Sequence, residues 1–382
     1  MAIPIVLANA TIPILGAVDT AVVGQLGLAV PIGAVGIGAI IITAIYWLFG
    51  FLRMGTTGLT AQAIGSGDKS ETSALLVRGI IIGVVAGLIL IITQVPVFLG
   101  ALQLSPASIE VEDLAQKYLQ IRVYSAPAAI ALFGITGWLI AKEKTRAVLL
   151  LQLVLNGINI VLDLVFVLKL GWGVEGVAIA TLIAEWSGLI FGLWLVREGF
   201  NNSYWKNWAQ IFDRVRLVQM AKVNGDIMIR SILLEIGFVS FLFLGSSFND
   251  ATLAANQILI QFLSITVHAL DGFAFAAETL VGQALGAKNR PLFRRAVVMT
   301  SQWGLGTVIL MALSFFVFGN SIINIMTTAE DVRTVSYEYL PWMVAAPLAG
   351  VAAWMLDGIF IGATRTADMR NMMFISFCVY LI

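Results

Sequence analysis

The chain has 382 residues, 59% of them hydrophobic and 12% charged, with 22 basic side chains balancing 22 acidic ones. Soluble globular chains are about a quarter charged, and a mean hydropathy of +0.95 surrounds most of this surface with lipid. There is no basic excess to suggest nucleic acid. One cysteine, Cys378, and one histidine, His268, leave neither a disulfide framework nor a Cys/His metal site.

The apolar run from Met1 continues to Asp19 with no basic start and no cleavable small-residue end. It reads as a retained first span, not a signal sequence. At about 20 apolar residues per crossing, helices are predicted over 4–24, 32–63, 74–99, 115–140, 147–169, 174–197, 217–245, 251–284, 292–318, 333–362 and from 369 to the end. The segments 32–63 and 251–284 exceed a bilayer and should tilt or protrude. With the N-terminus inside, sixteen basic residues fall on inner connections and helix ends, and four (Lys117, Arg122, Lys169, Arg333) fall outside. That asymmetry orients the chain with a cytoplasmic N-terminus.

The chain repeats itself at an offset of about 220 residues, as parallel transporter repeats do. LTAQAIG at 59–65 answers to LVGQALG at 280–286, YSAP at 124–127 to VAAP at 344–347, and Thr145-Arg146 to Thr364-Arg365. The offset spans an even number of crossings, so both halves run in the same direction. The expected organisation is an N-terminal six-helix bundle over 1–198, a cytoplasmic linker over 199–216 and a C-terminal bundle over 217–382. The linker carries Tyr204, Trp205, Lys206 and Trp208 and is expected to lie along the inner membrane surface.

A charge within a span costs about 2.5–3.5 kcal/mol on insertion scales, so each one is a functional candidate. The acids are Asp19, Asp163, Glu185, Asp226, Glu235, Asp271, Glu278 and Asp357, and the bases are Arg53 and Arg230. Asp226 and Arg230 are one turn apart and are expected to pair. Most of the remaining acids then lack a cation and must be protonated, hydrated or awaiting one. Counting along the spans puts Asp19, Asp163 and Thr181 in the outer half of the first bundle. Asn156, Asn159 and Asp163 share one helix face. Pro13 cannot donate to the carbonyl four residues back and is expected to hinge the first helix. In the second bundle Gln261, His268, Asp271 and Glu278 belong to a polar stripe read as lining a central cleft, with Asp357 added to it. Tyr46 and Arg53 form a similar face on 32–63, and Arg53 and Glu278 are expected to meet at an inner gate.

VDTAVVGQLG at 18–27, FLRMGTTGLTAQAIG at 51–65, LDGFAFAAE at 270–278 and LDGIFIGATRTADMRN at 356–371 resemble the DinF-type branch of the MATE (multidrug and toxic compound extrusion) exporters, over the whole chain. The resemblance implies an all-α polytopic membrane protein with two pseudo-symmetric bundles on a 12-helix plan. It also implies export of cationic or amphipathic compounds driven by H+ or Na+, without a cofactor. It carries the family's acids onto Asp19 and Asp163, its asparagine onto Asn159 and its sixth-helix threonine onto Thr181, and these four would also hold Na+ if that were the ion. The DinF branch is generally proton-coupled. By the repeat offset, the partner of span 174–197 falls beyond Ile382, so the last helix is expected to be missing from this chain.

These readings predict a monomeric H+-coupled antiporter of small molecules in the lipid of the bacterial inner membrane, with Na+ as the alternative driving ion. A lipid-linked precursor flippase would need a broad cationic cavity, and the charges here are mostly acidic. An intramembrane enzyme is disfavoured because HExxH, DDxxD, GxSxG and P-loop motifs are all lacking.

Overall fold

The structure, a computed structural model, describes all residues except 26–27, 104–106, 202, 247–249 and 382, and leaves aside the side chains of 12–14, 17, 20, 242–246 and 250. Among the described residues it is helical, without strands. The helices are α1 (Ala2–Gly24), α2 (Ala29–Trp47), α3 (Gly50–Gly65), α4 (Lys69–Ile92), α5 (Gln94–Leu102), α6 (Ile109–Arg122), α7 (Ala126–Ala141), α8 (Thr145–Asp163), α9 (Gly173–Leu195), α10 (Trp208–Ile211), α11 (Arg214–Ser246), α12 (Asp250–Gly286), α13 (Arg290–Met326), α14 (Glu330–Gly362) and α15 (Thr366–Tyr380). Eight segments among the described residues are long and apolar enough to cross a membrane.

Three predicted spans are broken. The segment 32–63 divides into α2 and α3, with the Phe49 and Leu52 amides bonding three residues back, to Tyr46 and Phe49. Apolar residues run straight through this break, so hydropathy carries no trace of it. The segment 74–99 divides at Thr93, whose hydroxyl donates to the Ile89 carbonyl at 2.9 Å just ahead of Pro96. The segment 115–140 divides at the 3-10 turn Val123–Ser125. Pro127 has no N–H to continue the ladder there, and the Ser125 hydroxyl donates to the Arg122 carbonyl instead, at 2.7 Å.

Contacts divide the chain into two compact units, one of Leu7–Thr60 with Asp68–Met220 and the other of Met1–Val6, Ala61–Gly67 and Ala221–Ile382. In the first, α4 lies along α7, α8 along α9 and α2 along α6. In the second, α12, α13 and α14 pack on one another around Phe262 and Phe315, whose rings meet edge to face with centroids 5.0 Å apart.

The sequence repeat reappears as shared geometry inside the two units. A Cβ on Gly137 would lie 2.4 Å from the Arg53 carbonyl oxygen, and one on Gly358 would lie 2.4 Å from that of Ala274. Apolar attraction between helices is weak in lipid, so close backbone approach of this kind does much of the packing. The turns repeat as well: Gly67 (φ 76°) and Lys288 (φ 51°) share the left-handed conformation, as do Glu143 (φ 60°) and Thr364 (φ 51°).

The connection after α9 is anchored to α4. Arg78 of α4, 2% exposed, donates Nε to the Ile211 carbonyl (2.8 Å), Nη2 to the Gln210 carbonyl (2.6 Å) and Nη1 to Glu71 Oε1 (2.6 Å). Ile211 packs with Ala74 and Val77, flanked by Phe200 and Trp205. Tyr204, Trp208 and Phe212 stay exposed beside Lys206. The connection is thus more than the surface-lying segment expected from its aromatics, because a buried guanidinium closes the last carbonyls of α10.

Glu198, just past α9, joins this side of the unit to the turn between α7 and α8, with Lys142 Nζ at 2.7 Å and Lys144 Nζ at 2.5 Å. Partial burial pushes its carboxyl upward, but the two lysines outweigh that and hold it below the usual glutamate value of 4.5. A group with a depressed folded-state pKa stabilises above its unfolded pKa and loses that contribution as pH falls through the folded one. The side chains are about one-third exposed, so the contribution is roughly 1 kcal/mol or less. Glu198→Gln should therefore lower stability slightly at pH 7 and match the unmodified chain in strong acid, as read from melting profiles across pH. A gap that widened toward low pH would contradict the assignment.

Candidate functional site

The amphipathic face of α8 organises the site. Asn156, Asn159 and Asp163 recur on one side of the helix and are buried, Asn159 and Asp163 completely. Immediately after Asp163 the backbone changes to a π-helical turn over Leu164–Lys169, then reverses through Gly171 (φ 69°) and Gly173 (φ 55°) into α9. Phe166 stacks on Trp172 across this reversal, ring centroids 4.8 Å apart. The tight return brings Thr181 of α9 opposite Asn159. Single π-turns inside membrane helices often mark functional sites, and hydropathy reading has no signal for them.

Asn159 is the hub. With its amide oriented to satisfy both ends, its nitrogen donates to Asp19 Oδ1 (3.2 Å) and Asp163 Oδ2 (3.0 Å), and its oxygen accepts from the Thr181 hydroxyl (2.9 Å) and amide (3.2 Å). Asp163 Oδ1 is buried without a hydrogen-bond partner, whereas Asp19 keeps some exposure. Among the described residues, no lysine, arginine or histidine forms an ion pair with either carboxyl. Asn156 ties α8 to α1 by donating to the Thr11 hydroxyl at 2.8 Å. Pro13 lies within α1, but its side chain is outside the described residues, so the expected hinge has no structural description. The position at the repeat offset from Asp19 is Ser240, which bonds the Tyr380 hydroxyl at 3.0 Å. The second unit therefore has no acid at that position.

Two carboxyls sharing one amide nitrogen in an apolar surround cannot both stay charged cheaply. A proton on one of them, or a small cation held by the carboxylates, relieves the repulsion.

Several charge pairings differ from the sequence reading. Arg230 does not pair with Asp226; it binds Asp357 at 2.6 Å, while Asp226 binds Arg370 at 2.6 Å and accepts from Thr366 at 3.1 Å. Asp357 is thus ion-paired within its own unit. Arg122, read as belonging to an outer connection, is buried against Glu185 at 3.1 Å. Two of the supposedly uncompensated acids, Asp357 and Glu185, therefore have cations, and Asp226 has a different one from that expected. A turn of separation along one helix cannot compete with a guanidinium presented at the right height by a neighbour. Tyr46, expected on one face with Arg53, is buried on α2. Its hydroxyl bonds the Arg122 carbonyl (3.1 Å) and Ser125 Oγ (3.2 Å), and the break after α2 separates it from Arg53, which is buried on α3. On α12, Gln261 is exposed, His268 Nδ1 contacts the Ser264 carbonyl at 2.7 Å, Asp271 is half-buried and Glu278 is 1% exposed.

A separate apolar cavity of about 530 Å³ opens in the second unit between α11, α12, α14 and α15, lined by Phe238, Leu259, Trp342, Met343 and Phe377 among others.

The MatE family model matches residues 4–165 and 227–382. DNA damage-inducible protein F of Escherichia coli (strain K12) is 37% identical over 98% of this chain and 82% of its own length. Protein DETOXIFICATION 44, chloroplastic, of Arabidopsis thaliana is 24% identical over 95% of this chain and 71% of its own. The probable multidrug resistance protein NorM of Bacillus anthracis is 25% identical over 81% and 70%. Among solved structures, MATE crystallised in a bent conformation superposes with a TM-score of 0.86 at 20% identity, over 98% of this chain and 83% of that one. A MATE crystal structure in the straight conformation gives 0.85, over 99% and 85%.

Proposed function

This chain belongs to the MATE family, and on that premise we propose that it is an antiporter that exchanges protons for cationic or amphipathic drugs across the bacterial inner membrane, with its N-terminus cytoplasmic. Multidrug efflux is the family's activity, and the coupling ion and its site are our reading. The observation that carries it is the carboxyl pair: Asp19 and Asp163 share the Asn159 amide, with an unpartnered buried oxygen on Asp163 and, among the described residues, no ion pair to either acid. Such a pair gains most from one added positive charge. Asp19, the more exposed member, is the port through which that charge arrives. Asn159 keeps the two acids together, and Thr181 orients Asn159. The apolar cavity of the second unit is the candidate surface for the apolar part of a cargo molecule.

H+ is preferred over Na+ because Asn159 turns its amide nitrogen, not its oxygen, toward the two carboxyls, and Na+ remains the second reading because carboxylate oxygens also suit it. The decisive experiment is counterflow of a fluorescent organic cation in proteoliposomes with pH and sodium gradients imposed separately. The expected result is accumulation driven by the pH gradient alone. Accumulation that required sodium and ignored pH would overturn proton coupling.

A further inference from the structure

A second buried charge cluster adjoins the carboxyl pair. Arg122, at the end of α6 and 6% exposed, places Nη2 3.1 Å from Glu185 Oε1 on α9 and donates Nη1 to Ser125 Oγ at 2.9 Å. Its guanidinium carbon lies 6.0 Å from the Tyr46 ring centroid. Arg122 Nε and Glu185 Oε2 are both buried without hydrogen-bond partners. The pair is therefore incompletely satisfied, which in a low-dielectric interior is costly unless the charges have a further role. Glu185 stands one turn beyond Thr181 on the same face of α9, and Thr181 bonds the Asn159 amide that holds both carboxyls, so the pair adjoins the site. The groups facing this region are Asp19 from α1, Tyr46 from α2, Tyr118 from α6, Ser125 from the 3-10 turn, Asn159 and Asp163 from α8, and Thr181 and Glu185 from α9. Among them Arg122 is the one cation, set against three carboxyls.

Resting on the coupling reading above, we propose that the Arg122–Glu185 pair sets how tightly Asp19 and Asp163 hold their coupling ion, with Glu185 governing how much of the Arg122 charge reaches them. Glu185 neutralises Arg122 at short range and leaves the carboxyl pair free to bind a cation. Loss of Glu185 would expose the pair to an uncompensated positive charge, which favours bare carboxylates. Loss of Arg122 would leave an additional negative charge, which favours the bound ion. Both are positioning residues; neither needs to touch the ion.

The test measures H+ and Na+ affinity of the purified full chain in proteoliposomes, using Asp19→Asn to identify binding at this site. Glu185→Gln is expected to weaken the Asp19-dependent affinity about tenfold, and Arg122→Gln to tighten it by a similar factor, the lower end of what a neighbouring charge does to a carboxyl. The double variant should return close to the unmodified value. A purely structural pair would lower folding yield without opposite movements in affinity. If Arg122→Gln fails to fold, Glu185→Gln alone still carries the sign. Ion binding that the unmodified chain shows but Glu185→Gln leaves unmoved, or tightens, overturns this inference alone. Absence of Asp19-dependent binding of either ion overturns the coupling reading and this inference with it.

Discussion

Asp19→Asn is expected to abolish accumulation against a gradient while leaving the protein folded. The substitution keeps the size and shape of the side chain and its ability to accept from the Asn159 amide at 3.2 Å, so the α1–α8–α9 packing has no reason to change. It removes the charge that can be gained and lost. One pH unit stores about 1.4 kcal/mol per proton, which supports roughly tenfold accumulation of cargo in an electroneutral one-for-one exchange. With the charge gone that energy has no route to the cargo, and the transmembrane ratio should settle at unity. The measurement is steady-state accumulation of a fluorescent cation in proteoliposomes, with gel filtration to show that the variant is monodisperse. A ratio clearly above unity in Asp19→Asn would end the role assigned to this residue. Asp163→Asn should behave alike, since the same amide nitrogen serves both acids.

The largest effect on stability is expected from Arg78→Ala. The guanidinium satisfies the Gln210 and Ile211 carbonyls and the Glu71 carboxylate in one planar fork. Its removal strands a carboxylate on Glu71, itself 5% exposed, and leaves the last carbonyls of α10 uncapped. Breaking one side of a buried pair costs about 3–5 kcal/mol. A lysine retains the charge but cannot reach three acceptors with one planar group, so Arg78→Lys should recover only part of the loss. The expected result is a large drop in melting temperature in detergent, with faster tryptic cleavage at Arg214 and Arg216 once α10 is released. Unchanged melting together with unchanged cleavage would show that the connection is held by other contacts. Arg78 lies in the unit that contains the carboxyl pair but is not part of that site, so ion binding by correctly folded molecules should be retained.

The sequence alone determined the membrane class, the helical content, the repeat and the polar face of α8. Each is written along the chain: hydropathy sets which segments enter lipid, and helical periodicity sets which side chains share a face. Asn156, Asn159 and Asp163 were legible for that reason, and Asp19 because an acid in a span cannot be ignored. Tertiary structure alone decided which charge meets which. Arg122 finds Glu185, Arg230 finds Asp357, and Arg370 finds Asp226 across neighbouring helices, while the nearest opposite charge along one helix, Arg230 for Asp226, was the wrong partner. The breaks at 48–49 and 123–125, and the π-turn after Asp163, were likewise settled only by packing. The height and rotation of a helix come from its neighbours, and in an interior without water a charge goes to whichever partner those neighbours bring within reach.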